Sequence, residues 1–460
     1  MNSRLTRREF VQGALGAALL SSGADALAAQ PESKSLPRPK FYWGVGIENT
    51  WMAQADPDKD GKRRVLDAYL LTQHYQKWKE DLDRAVDLGA NAIRYSVPWY
   101  KAEPKPRAYD WSSIDRPIEY LVTKLRIIPI LDLIHYGTPT WMADGVGDER
   151  FPEAIASYAE AAARHFKGLV NHYTVHNEPQ MTSLTCGIGW AMSWPPYHRS
   201  LTSWVRIGVR VAKGMVLTSQ ILRETLKGQA VIVSAEALDP GLLDPFLGPQ
   251  FQEKAHYQAL RGDLALYPSS LAYGQIEPDG LMAALLHEHG VESREIAWFR
   301  KHAQRPDYLG YNHYPDLFNF KPEDGDFTRR GQVPLRQAAR EAAGFVAKGL
   351  RDAHARFQLP VCLTETSAGL TAEARVAYIQ ALGEMVLELR RDRFPLVGVT
   401  WWPLFQSVRW EYRDHPEKPL ADFLTPGGWN NGLYAMEIGH GGDLRRIVTP
   451  AVQAYRDLTR

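Results

Sequence analysis

Two glutamates, Glu178 and Glu365, each accompany a short apolar run that predicts a buried β-strand. Glu178 lies in "HYTVHNEPQ", directly before Pro179, which lacks an amide donor and so ends the strand. Glu365 lies in "LPVCLTETSAG", before a turn of small residues. Two such carboxyl groups can cleave a glycosidic bond, because one protonates the leaving oxygen while the other attacks or stabilises the anomeric carbon.

Eight short runs rich in β-branched and aromatic residues predict the strands that would position these glutamates. The runs are Phe41–Gly46, Ala92–Val97, Ile127–Leu133, Tyr173–His176, Ala230–Ala235, Tyr308–Tyr311, Val361–Thr364 and Leu396–Thr400. Segments with helical spacing lie between them and end at glycines, as at Gly89 and Gly168. Repeated strand–helix alternation is typical of an α/β fold of the (β/α)8 TIM barrel type, in which catalytic groups collect at the C-terminal ends of the strands. We expect one barrel domain with long loops over residues 41–460.

Several stretches of the chain follow one another in an order known from a single enzyme family. They are "FYWGVG", "IRYSVPW", "IIPILDLIHY", "HNEP", "DYLGYNHY", "LTETS" and "GVTWWPLFQSVRW". The sequence therefore resembles glycoside hydrolase family 1, the β-glucosidase family, from about Phe41 to the C-terminus. The family's acid/base lies in an Asn-Glu-Pro tripeptide, which is intact here. Its nucleophile lies in a Thr-Glu-Asn-Gly stretch, which here reads Thr364-Glu365-Thr366-Ser367.

The resemblance implies a retaining β-glycosidase that works through a glycosyl-enzyme intermediate, with Glu178 as acid/base and Glu365 as nucleophile. Retention requires the two carboxyl groups to lie about 5–5.5 Å apart. No metal or cofactor is needed for this chemistry. Two rival interpretations stay open: a glycosidase of the same barrel clan that cleaves internal bonds of a polysaccharide, and a non-catalytic sugar-binding protein. Two nearby carboxyls that repel one another argue against the latter.

Other residues of the matching stretches would support the pair. By resemblance, Arg94 holds the nucleophile ionised, Tyr314 hydrogen-bonds it, and Asn177 contacts the 2-hydroxyl of the sugar. The further residues expected to bind substrate are His135, Asn312, Trp402, Arg409 and Trp410. The alternative for each is a structural ion pair or a hydrogen-bonded core residue. The strand-end acids Glu48, Asp132 and Glu236 rank below the main pair because they lack a motif.

Arg409 marks a departure from the family pattern. The family has a glutamate at this position that grips the 4- and 6-hydroxyls of the sugar, followed by a tryptophan that is kept here as Trp410. The family's early glutamine is also replaced, by Trp51 or Asn49. An arginine side chain donates hydrogen bonds but cannot accept them. The replacement of the glutamate by Arg409 therefore predicts a non-standard pocket for an anionic or carbonyl-bearing group. The alternative is that Arg409 turns away and pairs with a nearby acid such as Glu411 or Glu48.

The N-terminus predicts export. "TRREFVQ" carries the twin arginines Arg7 and Arg8, a mildly apolar run follows, and small residues end at Ala28. This order indicates a signal peptide for the bacterial Tat machinery over residues 1–28, a connector over 29–40, and a periplasmic or secreted enzyme. The apolar run is too short to span a membrane. Without residues 1–28 the chain has 51 basic and 51 acidic residues, and this neutral balance argues against a nucleic-acid partner.

Two further patterns concern metals and thiols. Residues 56–67 place acids at positions one, three, five and twelve and Gly61 at position six, which is the spacing of a calcium loop, but a solvated acidic turn is the alternative. Cys186 and Cys362 are the two cysteines, and Cys362 falls within a predicted strand. We therefore expect two buried thiols rather than a disulfide.

Overall fold

Eight parallel strands form the central sheet of the computed structural model, which describes residues 35–54, 56, 62–189, 193–238, 255–315 and 334–460. The strands are β1 (Tyr42–Gly46), β2 (Ala92–Ser96), β3 (Ile128–Asp132), β4 (His172–Thr174), β5 (Val231–Ile232), β6 (Leu309–Asn312), β7 (Val361–Thr366) and β8 (Leu396–Trp401). Their order in the sheet is β5-β4-β3-β2-β1-β8-β7-β6.

The sheet closes on itself between β5 and β6. Parallel bridges join Val233 to Tyr308 and Glu236 to Tyr311, just beyond the ends of the two-residue strand β5. Nearly every strand residue is buried, since helices cover the outer face and side chains fill the inner one. The predicted (β/α)8 TIM barrel is confirmed.

Helices follow the strands and pack around them. They span Ala68–Leu71, His74–Asp87, Trp99–Ala102, Asp115–Tyr120, Phe151–His165, Pro179–Gly187, Leu201–Thr225, Ala255–Leu264, Tyr267–Ala272, Leu281–Glu288, Ser293–His302, Leu335–Phe357, Ala372–Arg391 and Pro450–Thr459. A π turn spans Leu121–Leu125, and 3-10 turns span Gly145–Gly147, Trp410–Asp414, Leu420–Phe423 and His440–Gly442. Two antiparallel pairs lie outside the barrel sheet: Trp51–Met52 with Leu66–Asp67, and Tyr434–Ile438 with Leu444–Val448.

The strands that carry the two glutamates differ from their predicted bounds. Strand β4 ends at Thr174, so Glu178 follows it by four residues, and Pro179 begins a helix as well as ending the extended segment. Strand β7 continues through Thr366, so Glu365 lies within it. An apolar pattern shows which residues are buried, but the pairing of backbone groups with neighbouring strands decides where a strand ends.

Some predictions fall on residues that the structure does not describe. The signal peptide and residues 29–34 of the connector lie outside the described ranges, as do residues 57–61 of the candidate calcium loop. At the ends of that loop, the carboxylate of Asp56 lies 2.8 Å from the Arg199 guanidinium, and Asp67 accepts a hydrogen bond from the backbone N–H of Leu70 at the start of a helix. The described ranges contain no group of His, Cys, Asp and Glu residues suited to hold a metal ion. They also contain no helix that is long and apolar enough to cross a bilayer.

Both cysteines are buried free thiols, as predicted. Burial raises the pKa of each thiol to about 12, so both are protonated and unreactive at neutral pH. They serve as small packing residues.

A buried ion pair attaches the C-terminal hairpin to the first long helix. Arg446, on the hairpin strand Leu444–Val448, donates two hydrogen bonds of 2.8 Å to Asp81, on the helix His74–Asp87. Asp81 also contacts the ring of His74 at 2.9 Å, and both side chains of the Arg446–Asp81 pair are shielded from water. A buried pair of this kind leaves an uncompensated charge when one partner is removed.

We expect Arg446→Ala to lower the free energy of unfolding by about 3 kcal/mol, because Asp81 would stay buried without the two hydrogen bonds of Arg446 and would keep only the more distant Arg84, at 3.6 Å. The neighbouring Arg445 provides a matched control, since its side chain is exposed and lies 3.7 Å from Glu437. Arg445→Ala should cost less than about 1 kcal/mol. Urea unfolding of the two variants measures both values, and equal losses would contradict the structural role of the buried pair.

Candidate active site

The predicted nucleophile, Glu365, is surrounded by hydrogen-bond donors at the C-terminal end of the barrel. Arg94 at the end of β2 donates from Nη1 to Oε1 at 2.5 Å, and the Tyr314 hydroxyl donates to Oε2 at 2.6 Å. Strand β6 positions Tyr314, because the backbone N–H of His313 bonds the carbonyl of Glu365. A cation and a hydroxyl on a carboxylate both stabilise its negative charge.

Arg94 connects Glu365 to a wider polar network. Its Nη2 donates to Asp132 at 2.6 Å and to the Asn177 side-chain oxygen at 2.7 Å. Asp132 in turn lies 2.9 Å from Nδ1 of His135. Burial would lower the pKa of Arg94, but the charges of Asp132 and Glu365 outweigh burial and raise it. The guanidinium is therefore a permanent positive charge on the floor of the site.

The predicted acid/base, Glu178, has neutral partners only. Its Oε2 accepts a short hydrogen bond from the Tyr136 hydroxyl, and its Oε1 accepts one from the Asn312 amide at 2.9 Å. Burial, followed by the negative charge of Glu365, raises the pKa of Glu178 to about 7. Glu178 can therefore hold a proton near neutral pH and also release it.

Trp402 and His135 lie together on one side of the site. Their rings are nearly parallel, with centroids 5.3 Å apart, and the Arg94 guanidinium lies over the Trp402 ring at 4.7 Å. Gly46 in β1 makes room for Trp402, because a Cβ atom there would come within 1.9 Å of the indole. The indole N–H donates to Glu48 at 3.0 Å. Glu48, ranked low from the sequence, thus belongs to the site.

Trp410 is part of an aromatic cluster beside the acid/base. Its ring stacks on Trp429 at 4.8 Å and meets Trp194 edge-on at 5.2 Å. Tyr136 joins the cluster through Trp194, with ring centroids 4.3 Å apart. The Trp410 indole N–H has no hydrogen-bond partner among the described residues, so it is available to a ligand hydroxyl.

Arg409 does not join the other predicted site residues. Its guanidinium pairs with Glu411 at 2.7 Å, and 41% of its side chain is exposed to solvent. This is the alternative that the sequence left open, with Glu411 rather than Glu48 as the partner. The structure thus favours the surface pair over an Arg409 that faces the sugar, because a carboxylate two residues away binds the guanidinium.

Glu236 is the remaining strand-end acid. It is fully buried and accepts hydrogen bonds from Ser269 at 2.6 Å and Tyr273 at 2.8 Å. Burial raises its pKa to about 7, the same value as for Glu178. A raised pKa alone therefore does not distinguish the predicted acid/base from Glu236. The difference is that the charge of Glu365 acts on Glu178, whereas the pKa of Glu236 is shifted by burial and neutral hydrogen-bond donors.

Comparison with known proteins agrees with this geometry. The profile of Glycosyl hydrolase family 1 matches residues 56–259. Beta-glucosidase 4 of Oryza sativa subsp. japonica is 23% identical over 79% of this chain and 82% of its own length. The 1,4-beta-D-glucan glucohydrolase of Thermotoga neapolitana is 22% identical over 80% of this chain and 93% of its own. The chain is a glycoside hydrolase related to family 1.

The fold agrees as well. The solved structure of beta-glucosidase from Thermotoga maritima in complex with deoxynojirimycin has a TM-score of 0.65 and 17% identity, covering 93% of this glycoside hydrolase and 98% of that chain. At this identity the likeness concerns the barrel fold alone. The profile match includes Asn177 and Glu178 but ends before Glu365, so the arrangement around Glu365 rests on the contacts described above.

Sequence reasoning missed one residue of the site and undervalued two. Tyr136 was not singled out, although it follows His135 in the quoted stretch "IIPILDLIHY". Asp132 and Glu48 were noticed only as strand-end acids. Asp132 ends β3 and Glu48 follows β1. These positions could have placed both residues in the site, because the C-terminal ends of neighbouring strands converge in a barrel.

Proposed function

We propose that this glycoside hydrolase is a retaining β-glycosidase that removes a neutral sugar by double displacement. The observation that carries the proposal is the difference between the two glutamates. Glu365 has a cation and a hydroxyl on its oxygens, whereas Glu178 has neutral partners and a pKa of about 7. One carboxyl is thereby suited to attack and the other to proton transfer.

In the first step, the Glu365 carboxylate attacks the anomeric carbon while the bond to the leaving oxygen breaks. Glu178 gives its proton to that oxygen and becomes a carboxylate. In the second step, Glu178 takes a proton from water, the water oxygen bonds the anomeric carbon, and the bond from that carbon to Glu365 breaks. Both residues return to their starting protonation states. Asn177 is held on the Arg94 guanidinium and is suited to bind the 2-hydroxyl.

We expect Glu178→Gln to lower kcat/KM by about 10²–10⁴-fold for glycosides with poor leaving groups and much less for dinitrophenyl glycosides, because only the former need the proton. Glu365→Gln should abolish turnover of both. Glu236→Gln is the matched control, since it changes a buried glutamate after the next strand whose pKa is raised to the same value. A rate loss for Glu178→Gln that does not depend on the leaving group would contradict the assignment.

The charges around the site favour a neutral glycone. Among the described residues, the carboxyl groups of Glu48, Asp132 and Glu365 lie there together with Glu178, and the positively charged groups opposite them are Arg94 and His135. Because Arg409 pairs with Glu411 at the surface, it does not supply a second arginine to the site. An anionic sugar would meet an excess of negative charge. The relatives named beta-glucosidase and 1,4-beta-D-glucan glucohydrolase act, by their names, on neutral glucosides.

Glu48 is the residue proposed to bind hydroxyl groups of the sugar. Its oxygens accept hydrogen bonds from the Trp402 indole at 3.0 Å and the Thr50 backbone N–H at 2.9 Å. Each oxygen keeps a second lone pair. No cation within ion-pair distance of Glu48 is found in the described part of the chain. A buried carboxylate held by neutral donors is suited to accept hydroxyl protons of the sugar.

We expect Glu48→Gln to lower kcat/KM for an aryl β-glucoside by about 10–100-fold, the effect of weakening one hydrogen bond to a charged group. Arg409→Ala, which removes only an exposed pair, should change the same value by about two-fold or less. Steady-state kinetics on a glucoside and the matching glucuronide compares the variants. If the wild-type enzyme prefers the glucuronide and this preference depends on Arg409, the result would contradict the neutral-sugar proposal and support a pocket for an anionic sugar.

Export is proposed from the N-terminal sequence alone. The twin arginines Arg7 and Arg8 precede a weakly apolar run, which supports transport of the folded enzyme by the Tat machinery to the periplasm or beyond. The enzyme would then act on sugars outside the cytoplasm. Residues 1–28 would be removed on the way.

We expect Arg7→Lys combined with Arg8→Lys to keep active enzyme in the cytoplasm of a bacterial host, because the Tat route reads the arginine pair rather than its charge. Arg4→Lys is the matched control outside the pair and should leave export unchanged. Fractionation followed by an activity assay makes the measurement. Equal periplasmic activity of all forms would remove the Tat proposal.

A further inference from the structure

Tyr136 stands out because its backbone is held in an unfavourable conformation. Its φ angle is +74°, in the left-handed region that bulky side chains rarely adopt. Glu178 also has a positive φ, of +43°. The Tyr136 hydroxyl donates to Oε2 of Glu178, so the two strained residues contact one another directly. Strain of this kind persists only where the surrounding structure holds it and is concentrated at functional sites.

The surroundings of Tyr136 fix its side chain. Its ring packs edge-on against Trp194 at 4.3 Å and approaches Trp410 at 5.9 Å. The backbone at the next residue, Gly137, passes so close to Trp51 that a Cβ atom would lie 2.3 Å from the Trp51 carbonyl oxygen. The hydroxyl therefore cannot leave Glu178 without disturbing several packed residues.

We propose that Tyr136 is a positioning residue for the acid/base, whose hydroxyl holds the Glu178 carboxylate as it releases and regains the proton and thereby sets the upper pH limit of the reaction. This inference rests on the proposed role of Glu178. Tyr136 does not itself transfer the proton, because burial and the adjacent charge of Glu178 raise its own pKa well above the ordinary value. It remains a donor throughout the cycle.

The direction of the effect follows from the groups that face Glu178. Among the described residues these are Tyr136 and His135 after β3, Tyr314 after β6, Glu365 in β7, and Arg94, which reaches the neighbouring Asn177. Burial and the charge of Glu365 raise the pKa of Glu178, whereas the hydrogen bonds from Tyr136 and Asn312 and the charge of His135 lower it. Removal of the Tyr136 hydroxyl therefore raises the pKa of Glu178, and the acid stays protonated to a higher pH.

The test is the pH profile of kcat/KM for Tyr136→Phe. The alkaline limb, which reports loss of the Glu178 proton, should move up by about one pH unit, as expected for one hydrogen bond to a charged group. The acidic limb should stay in place, because the Tyr136 hydroxyl bonds Glu178 and not Glu365. The rate should also fall more for poor leaving groups than for good ones, since the acid has become weaker.

Tyr158→Phe is the matched control. Tyr158 is fully buried and donates to the backbone carbonyl of Val97, away from Glu178. It should leave both limbs of the profile in place. If Tyr136→Phe lowers the rate at every pH without moving the alkaline limb, Tyr136 only packs the site and the inference is overturned.

A second measurement does not depend on activity. Infrared titration of the carboxyl region, with Glu178→Gln to assign the band, should give a higher midpoint for Glu178 in Tyr136→Phe than in the wild-type enzyme. If Tyr136→Phe does not fold, 3-fluorotyrosine at position 136 keeps the shape but donates more strongly, and the midpoint should fall. An unchanged midpoint overturns the inference; a shifted midpoint in an enzyme that hydrolyses no glycoside overturns the proposed function alone.

Discussion

The buried guanidinium of Arg94 is the interaction on which the site depends. It bonds Glu365, Asp132 and the side-chain oxygen of Asn177, and so joins strands β2, β3 and β7 with the segment after β4. Without this cation, two carboxylates would face each other in a region shielded from water. Loss of one partner from such a buried network costs about 3–5 kcal/mol. Stability and the negative charge of Glu365 therefore have the same source.

The same network leaves Glu178 without a cation as a hydrogen-bond partner. Arg94 donates a hydrogen bond to Asn177, the residue before Glu178, and its other hydrogen bonds go to Asp132 and Glu365. Glu178 thus receives hydrogen bonds from an amide and a phenol, neither of which compensates a full charge. The result is a raised pKa for Glu178: the two glutamates are chemically identical, and their different partners suit them to the different roles proposed above.

Much of the fold could be predicted because short apolar runs alternate with helical segments. Glu178 and Glu365 could be proposed as a pair because each lies in a stretch that resembles a family motif. The end of β4 at Thr174 could not, since strand ends depend on pairing with neighbours rather than on local pattern. Arg409 was expected in the pocket because it occupies a position matched along the sequence. Its side chain instead forms an ion pair with Glu411, two residues away. This could not be predicted, because a match along the sequence does not show in which direction a side chain points. Glu48 and Tyr136 lack a motif, and only the convergence of β1 and β3 brings them to the site.

The central claim is that Glu365 forms the covalent bond to the sugar while Glu178 moves the proton. The most direct measurement is inactivation by a dinitrophenyl 2-fluoro-β-glucoside, whose intermediate hydrolyses slowly, followed by mass spectrometry of a proteolytic digest. The account predicts a single 2-fluoroglucosyl label on Glu365, with no labelling in Glu365→Gln. A label on Glu178, Glu48 or Glu236, or turnover with no covalent intermediate at all, would contradict it.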